Sequence, residues 1–509
     1  MTGRIGRTAL GFADCRRAFA CVVALLLAGC GLETSHLQHE NISLPDLPKQ
    51  AESVGQREHQ RILAAYGGAY QDARLEALIG RTVNKLVAAS ERPDLHYKVT
   101  ILNSSAVNAF ALPTGQLYVT RGLLALANDT SELASVLAHE MAHVIARHAA
   151  IREEQARQVM GGSHSAPDVL NDPQVSAMAL AKSKITLATF SRGQELEADG
   201  IGVGISSRAG YDPYGAVRFL TAMSRNAELR PNGDSPQFLD FLSSHPTTPD
   251  RLRIVQQNAR EYVEAGLPEH DRGRVAQAEA KHLAGPGAAE RDRGGYLSSI
   301  EGLVYGEDPS EGFVRGRRFL HPRLGFTFTA PEGFTLENTA QAVLGVKEGA
   351  GQALRLDVVH VPADQSLTDY LGSGWIENID PSSIEMLTIN GFPAATAVAK
   401  GDQWSFRLYA IRYANEVYRF IFASKQPSPV IHLIFRESVG TFRRLTPPEI
   451  ESAKPLRVKI VTVGPDDTPE RLASQMALAD RPLERFLVLN DLQPGSSLKP
   501  GDQVKIIVE

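Results

Sequence analysis

The sequence predicts a multidomain chain in three folded parts: a mainly α domain with a small edge sheet, an α+β domain, and a small βααβ unit. Three observations predict it. At 509 residues the chain is too long for one core, since a domain takes about 150 residues. The hydrophobic period changes from helical to alternating near residue 295. A Pro-rich break, Pro447-Pro448 and Pro455, sets off residues 456–509. After residue 30 no apolar run reaches the roughly 18 residues that a membrane-spanning helix needs.

Residues 1–29 read as a signal segment. Arg4, Arg7, Arg16 and Arg17 precede the apolar stretch Ala18 to Ala28, which is too short to span and has the shape of a secretory signal. It ends in Leu27-Ala28-Gly29-Cys30, which resembles the bacterial lipobox. That resemblance implies cleavage before Cys30, acylation of this cysteine, and attachment to a membrane through lipid. Gly31 and Leu32 follow, with no aspartate beside the cysteine. In Gram-negative lipoproteins this implies the periplasmic face of the outer membrane. Cys15 and Cys21 leave with the signal, so no thiol remains for a disulfide or for catalysis. Loss of residues 1–29 moves the formal net charge from −5 to −8, because four arginines and Asp14 go. A mildly acidic mature chain gives no support to nucleic-acid binding. Residues 30–55, polar with scattered Leu and Pro, read as a tether.

Residues 56–265 form the first domain. Helical patterning comes first, then strand-like runs Tyr97 to Leu102 and Gln116 to Val119, and from Asp129 onward the pattern is helical. The strongest chemical signal is His139-Glu140-Met141-Ala142-His143. Histidines four apart on a helix sit about 40° apart around its axis, so both imidazoles face one metal with Glu140 flanking them. Asp129 can cap this helix and Glu132 stands where a capping-box partner belongs. Histidine is a weak helix former, so two inside a well-formed helix ask for a reason.

Catalytic zinc takes three protein ligands and keeps one position for water. The metzincin extension would need Gly at 146 and His at 149, but the chain has Ala146 and Ala149. His148, nine residues after His139, falls about 180° around a continuing helix and reads as structural. The best third ligand is Glu195, in Ser191 to Gly200. Glu195 and Asp199 share a helical face, so Asp199 can accept a proton from a ligand histidine's other nitrogen. Glu197 competes for the ligand role but points the other way. His245 precedes a proline in a loop-like stretch, Ser243 to Pro249, so its imidazole is expected to project into the cleft. There it would donate to the oxyanion or occupy zinc's fourth position when no substrate is bound.

Residues 266–295, rich in Ala, Gly, Glu and Arg, read as a linker. Residues 296–450 then alternate: Gly325 to Ala330, Leu354 to Val361, Ile384 to Ile389, Ser405 to Tyr413 and Val417 to Ser424, with turns at Asn390-Gly391 and Asn415-Glu416. The blocks His321 to Phe326, Ala330 to Phe334 and Ile389 to Ala394 give this domain a layout that resembles the PsbP-like fold. In residues 456–509, Thr468, Leu472, Leu489-Asn490 and Leu498 to Asp502 are similar to the lysin-motif signature. That likeness implies peptidoglycan as a partner.

The blocks Asn108-Ala109-Phe110-Ala111-Leu112-Pro113, Gly122-Leu123-Leu124, the HExxH helix continuing as Arg147-His148, the ExxxD helix, and Ser244-His245-Pro246 with Arg251 come in order over residues 56–260. Together they resemble the CaaX prenyl protease and HtpX-like peptidase family, in its soluble, lipoprotein branch of periplasmic quality-control proteases. The resemblance implies a zincin-type domain in which His139, His143 and Glu195 hold one zinc ion and Glu140 is the base. Asn108, Ala109, Phe110 and Ala111 are expected to form an edge strand beside the cleft, where a substrate adds as a further strand and is read through its main chain. The expected activity is zinc-dependent hydrolysis of unfolded or misassembled envelope polypeptides. The alternative is a peptidoglycan-tethering lipoprotein whose peptidase domain acts as a chaperone; intact Glu140 favours hydrolysis. A cell-wall amidase lacks the expected ligand pattern.

Overall fold

The computed structural model describes residues 49–159, 190–229, 241–266 and 292–509, except 348, 374, 375, 377, 402 and 479. The signal segment, Cys30 and nearly all of the tether and linker lie outside the described residues. In the first domain, strands β1 (Lys98–Leu102), β2 (Ala109–Ala111) and β3 (Gln116–Thr120) form one sheet in the order β1-β3-β2. β1 runs parallel and β2 antiparallel to β3, which leaves β2 at an edge. Period-2 alternation splits the sheet's side chains between two layers. Leu102, Phe110 and Tyr118 pack with Ile62 and Tyr66 near the end of helix Lys49–Ala65. Ile101, Leu117 and Val119 join Leu75, Ile79, Val83 and Leu86 of helix Ala73–Ala89 in the main core.

β3 leads directly into helix Arg121–Leu126, where the Thr120 hydroxyl accepts from the Leu123 N–H. Helix Thr130–Ile145 follows, and every residue from Thr130 to His143 is buried, so it is the domain's central helix. Asp129 caps it through the Glu132 N–H, as the sequence suggests. The Glu132 carboxylate instead accepts from the Asn128 N–H, one residue outside the expected capping box. The buried guanidinium of Arg218 holds this end together, lying 2.9 Å from Asp129, 3.3 Å from Glu132 and 2.8 Å from Asp212.

The sheet-rich remainder begins with β4 (Val304–Tyr305), β5 (Phe313–Arg315), β6 (Arg318–His321), β7 (Phe326–Thr329), β8 (Thr335–Asn338), β9 (Val343–Lys347) and β10 (Gln352–Val359). It continues through β11 (Glu385–Ile389), β12 (Phe392–Lys400), β13 (Ser405–Tyr413), β14 (Glu416–Ser424), β15 (Arg443–Arg444), β16 (Leu456–Thr462) and β17 (Gln503–Val508). A seven-stranded antiparallel sheet has the order β11-β12-β13-β14-β10-β9-β8, and a four-stranded sheet the order β15-β7-β6-β5. Phe319, Phe326, Phe328, Phe420, Phe422 and Phe442 fill a shared core with Phe435 of helix Pro429–Gly440. Asn390 and Gly391 both take positive φ, +47° and +87°, as a two-residue hairpin turn requires. The next hairpin turns at Ala414-Asn415, one residue before the expected place, because Tyr413 pairs with Glu416.

The C-terminal segment has the expected βααβ order: β16, helices Pro469–Ser474 and Pro482–Leu489, then β17. Its boundaries differ from the sequence reading. β4, assigned to the α+β domain, completes its sheet in the order β17-β16-β4. Tyr296, Leu297 and Ile300 of helix Arg293–Ile300 and Val458, Phe486 and Ile507 of the C-terminal segment share one apolar core with the first domain. Lys505 is fully buried, and its ammonium donates to the carbonyls of Ala125, Leu126 and Ala127 at 2.8–3.0 Å, where helix Arg121–Leu126 ends. These contacts join residues hundreds of positions apart, so no local pattern announces them.

Candidate active site

His139 and His143 stand one turn apart on the central helix, and helix Arg192–Arg208 crosses that helix to bring up Glu195. Ser191 caps the second helix in a capping box with Gln194, which fixes where its first turn begins. Gly202 allows the crossing: a Cβ there would lie 3.0 Å from the His139 nitrogen and 3.1 Å from its Cα. A Gly202→Val variant is therefore expected to lose about 1–3 kcal/mol of stability through overpacking. Thermal unfolding would register it, together with weaker metal retention.

His139, His143, Glu195 and His245 are all buried and offer ligand atoms within 4.8 Å of one another. His139 Nε2 lies 3.1 Å from His143 Nε2 and 3.3 Å from His245 Nδ1. Glu195 Oε1 lies 2.9 Å from His245 Nδ1 and 3.6 Å from His143 Nε2. Asp199 Oδ1 lies 2.9 Å from His139 Nδ1, the nitrogen that faces away from the cluster. Arg251 grips Asp199 with two hydrogen bonds of 2.7 and 2.8 Å and places Nη1 2.7 Å from Glu195 Oε2. One guanidinium thus fixes both carboxylates of the ExxxD helix. Phe190 stacks on His143 at 4.0 Å and Phe241 on His245 at 4.3 Å between ring centroids.

The electrostatics suit a divalent cation. Burial lowers the basicity of His139 and His143, and burial with the charge of Arg251 holds His245 at about 3, so the imidazoles are neutral and free to ligate. Burial, then the neighbouring Glu195 carboxylate, pushes Glu140 well above the usual carboxylate range, and burial raises Glu195 as well. Burial would also raise Asp199, but hydrogen bonds from Arg251 and His139 outweigh it and hold the group at about 2. Two buried carboxylates that resist ionisation beside three neutral imidazoles gain from a cation in their midst. Glu140 Oε1 is buried with no hydrogen-bond partner, 3.6 Å from His245 Nε2. This is the nitrogen and oxygen donor set of a catalytic metal site, with a carboxylate to spare.

The structure differs from the sequence reading at His148. The central helix does not continue through it: Arg147 takes a left-handed φ of +57°, and a new helix runs from His148 to Val159. His148 therefore turns back, with its Nδ1 2.9 Å from His143 Nδ1, and Glu197 Oε2 lies 3.3 Å from its Nε2. Glu197 stays outside the donor cluster but is not idle. Phe190 and Phe241 carried no signal in the sequence beyond being aromatic next to motif residues.

Strand β2 lies beside Glu140, whose carboxylate accepts from the Ala111 N–H. Thr120 N–H bonds to Asn108 O and Leu112 N–H to Gln116 O, so even-numbered residues face β3. The main-chain groups of Ala109 and Ala111 face away from it. Asn108 precedes the strand and is buried, its amide donating to the Tyr66 hydroxyl at 3.2 Å, which makes its side chain part of the core. Phe110 also points into the core.

Among the described residues no helix is long and apolar enough to cross a membrane. Residues 73–259 match the model of peptidase family M48. The mitochondrial metalloendopeptidase OMA1 of Schizosaccharomyces pombe is 30% identical over 252 residues, which cover 47% of this chain and 72% of that protein. The beta-barrel assembly-enhancing protease of Yersinia pestis is 29% identical over 261 residues, 47% of this chain and 52% of that protein. The chain thus spans about half the length of that protease. Among solved structures, cyanobacterial PsbP from Synechocystis matches 27% of this chain and 98% of its own at 13% identity, with a TM-score of 0.21. Similarity over 72% of a metalloendopeptidase, with the family model matched across the residues that carry the HExxH helix, Glu195 and His245, makes this chain a metalloendopeptidase belonging to peptidase family M48.

Proposed function

We propose that the chain is a zinc-dependent endopeptidase of the bacterial envelope that removes misfolded or misassembled periplasmic and outer-membrane polypeptides. The observation that carries the reading is the convergence of His139, His143, Glu195 and His245 on one point, with the unpartnered Oε1 of Glu140 at its side. His139, His143 and Glu195 would hold the metal. Zinc there would polarise the scissile carbonyl and lower the pKa of its bound water. Glu140 would take a proton from the attacking water and later pass it to the leaving amine. Asp199, gripped by Arg251, keeps His139 oriented, and the Ala111 N–H holds the Glu140 carboxylate in place. The outward carbonyl of Ala111, at the partly exposed end of β2, suits the main chain of an extended substrate, which would be recognised with little regard to its side chains; the Ala111 N–H is taken by Glu140, and Ala109 is buried. Casein cleavage that stops with a chelator and returns with zinc tests this reading; cleavage that ignores the chelator contradicts it.

His245 offers a nitrogen to the same buried point as His139, His143 and Glu195, which supports a plug displaced by substrate over an oxyanion donor. The expected result of His245→Ala is faster basal proteolysis with weaker metal retention against a chelator. A rate falling by about 10²–10³ instead would show the donor role.

The envelope assignment draws on the signal segment, the lipobox-like Leu27 to Cys30, and relatives named for β-barrel assembly. Cys30→Ser is expected to move the protein from the membrane fraction to the soluble one. Retention in membranes after lysozyme treatment would contradict the lipid anchor. Retention that lysozyme abolishes would point to peptidoglycan held through residues 456–509, the partner we propose for that unit.

A further inference from the structure

The two histidines of the HExxH helix have unlike outer partners. His139 Nδ1 faces a carboxylate, Asp199, whereas His143 Nδ1 faces a second imidazole, His148, at 2.9 Å. His148 is 1% exposed, and its other nitrogen is 3.3 Å from Glu197, whose side chain reaches solvent. The arrangement exists because the helix stops at Ile145 and Arg147 enters the left-handed region, which L-residues visit at a cost. Had the helix run on, His148 would sit on its far side. Phe190, stacked on His143 and 6.1 Å from His148, closes the ring pair from the side.

Resting on the ligand assignment proposed above, we infer that His148 is a positioning residue for the metal: it accepts the Nδ1–H of His143 and so aims His143 Nε2 at the ion. The proton count allows one arrangement. A neutral imidazole that gives Nε2 to a metal carries its proton on Nδ1. His148 Nδ1 must then present a lone pair, which leaves the His148 proton on Nε2, directed at Glu197. The buried link in this chain is His143 to His148, and the exposed link to Glu197 only selects the tautomer. Outer partners of this kind set ligand orientation and basicity, and losing one costs about 10–100-fold in metal affinity.

Chelator competition on the zinc-loaded full chain tests the inference. His148→Phe keeps the ring volume and offers no acceptor, so it is expected to bind zinc about 10–100-fold more weakly. His148→Asn, whose side-chain oxygen can take the place of Nδ1, is expected to stay within a few-fold of wild type. A merely space-filling His148 predicts the reverse order, and either a Phe variant equal to wild type or an Asn variant as weak as Phe overturns the inference. If the Phe variant does not fold, long-range 1H–15N spectra of the zinc-loaded wild type decide. Protons on His143 Nδ1 and His148 Nε2 are expected, and a proton on His148 Nδ1 overturns the assignment. Failure of the wild type itself to hold zinc would count against the ligand set, a different outcome from wild-type retention with an indifferent His148.

Discussion

Replacing Glu140 by Gln is expected to slow peptide hydrolysis by about 10²–10⁴-fold, the usual contribution of a general base, while the zinc content of the protein stays unchanged. The variant changes little in shape. Its amide oxygen still accepts from the Ala111 N–H, and His139, His143 and Glu195, the proposed ligands, are untouched. What goes is the capacity to take a proton. Glu140 is suited to that task because burial and the nearby Glu195 carboxylate raise its proton affinity, so a proton drawn from water is held long enough to reach the leaving amine. Casein cleavage and metal analysis on the same preparation check both halves. Hydrolysis at the wild-type rate would remove Glu140 from the chemistry.

Glu195→Ala and His143→Ala are expected to abolish activity and metal binding together. Each deletes a proposed ligand, so the loss of affinity should exceed the roughly 10–100-fold that follows removal of an outer partner. The two variants differ in what they leave behind. Without Glu195, Arg251 keeps Asp199 and the His245 carbonyl as partners. Without His143, His148 Nδ1 loses its neighbour inside the core. Addition of zinc raises the melting temperature of a protein that binds it only when folded. That rise should vanish in both variants, and its persistence in either would exclude that residue as a ligand.

The sequence made the two helices of the candidate metal site legible because their chemistry is local. His139, Glu140 and His143 share one helix, Glu195 and Asp199 another, and spacing of three or four decides which side chains meet. His245 was legible through Pro246, which keeps it out of a helix. His148 was misread for a local reason of a different kind: Arg147 turns left-handed with no Gly or Asn to signal it, and a helix assumed to continue carries His148 to the wrong side. The grip of Arg251 on Asp199 and Glu195, and the stacking of Phe190 and Phe241, depend on which helices cross. Spacing along the chain does not encode that. The same holds for the union of the C-terminal segment with the peptidase domain. Lys505 reads as an ordinary strand cation until the carbonyls of Ala125 to Ala127 are found around its ammonium. Alternation did locate most strands of the seven-stranded sheet, because one face of each packs against a core.

The most direct test is a titration of the metal-free full chain with zinc while the cleavage of an unfolded polypeptide is followed. Activity is expected to be absent at the start, to rise in proportion to added zinc, and to level off at one zinc per chain, with no such rise in Glu195→Ala. Hydrolysis by the metal-free chain, or a zinc-dependent rise that survives in Glu195→Ala, would contradict the account.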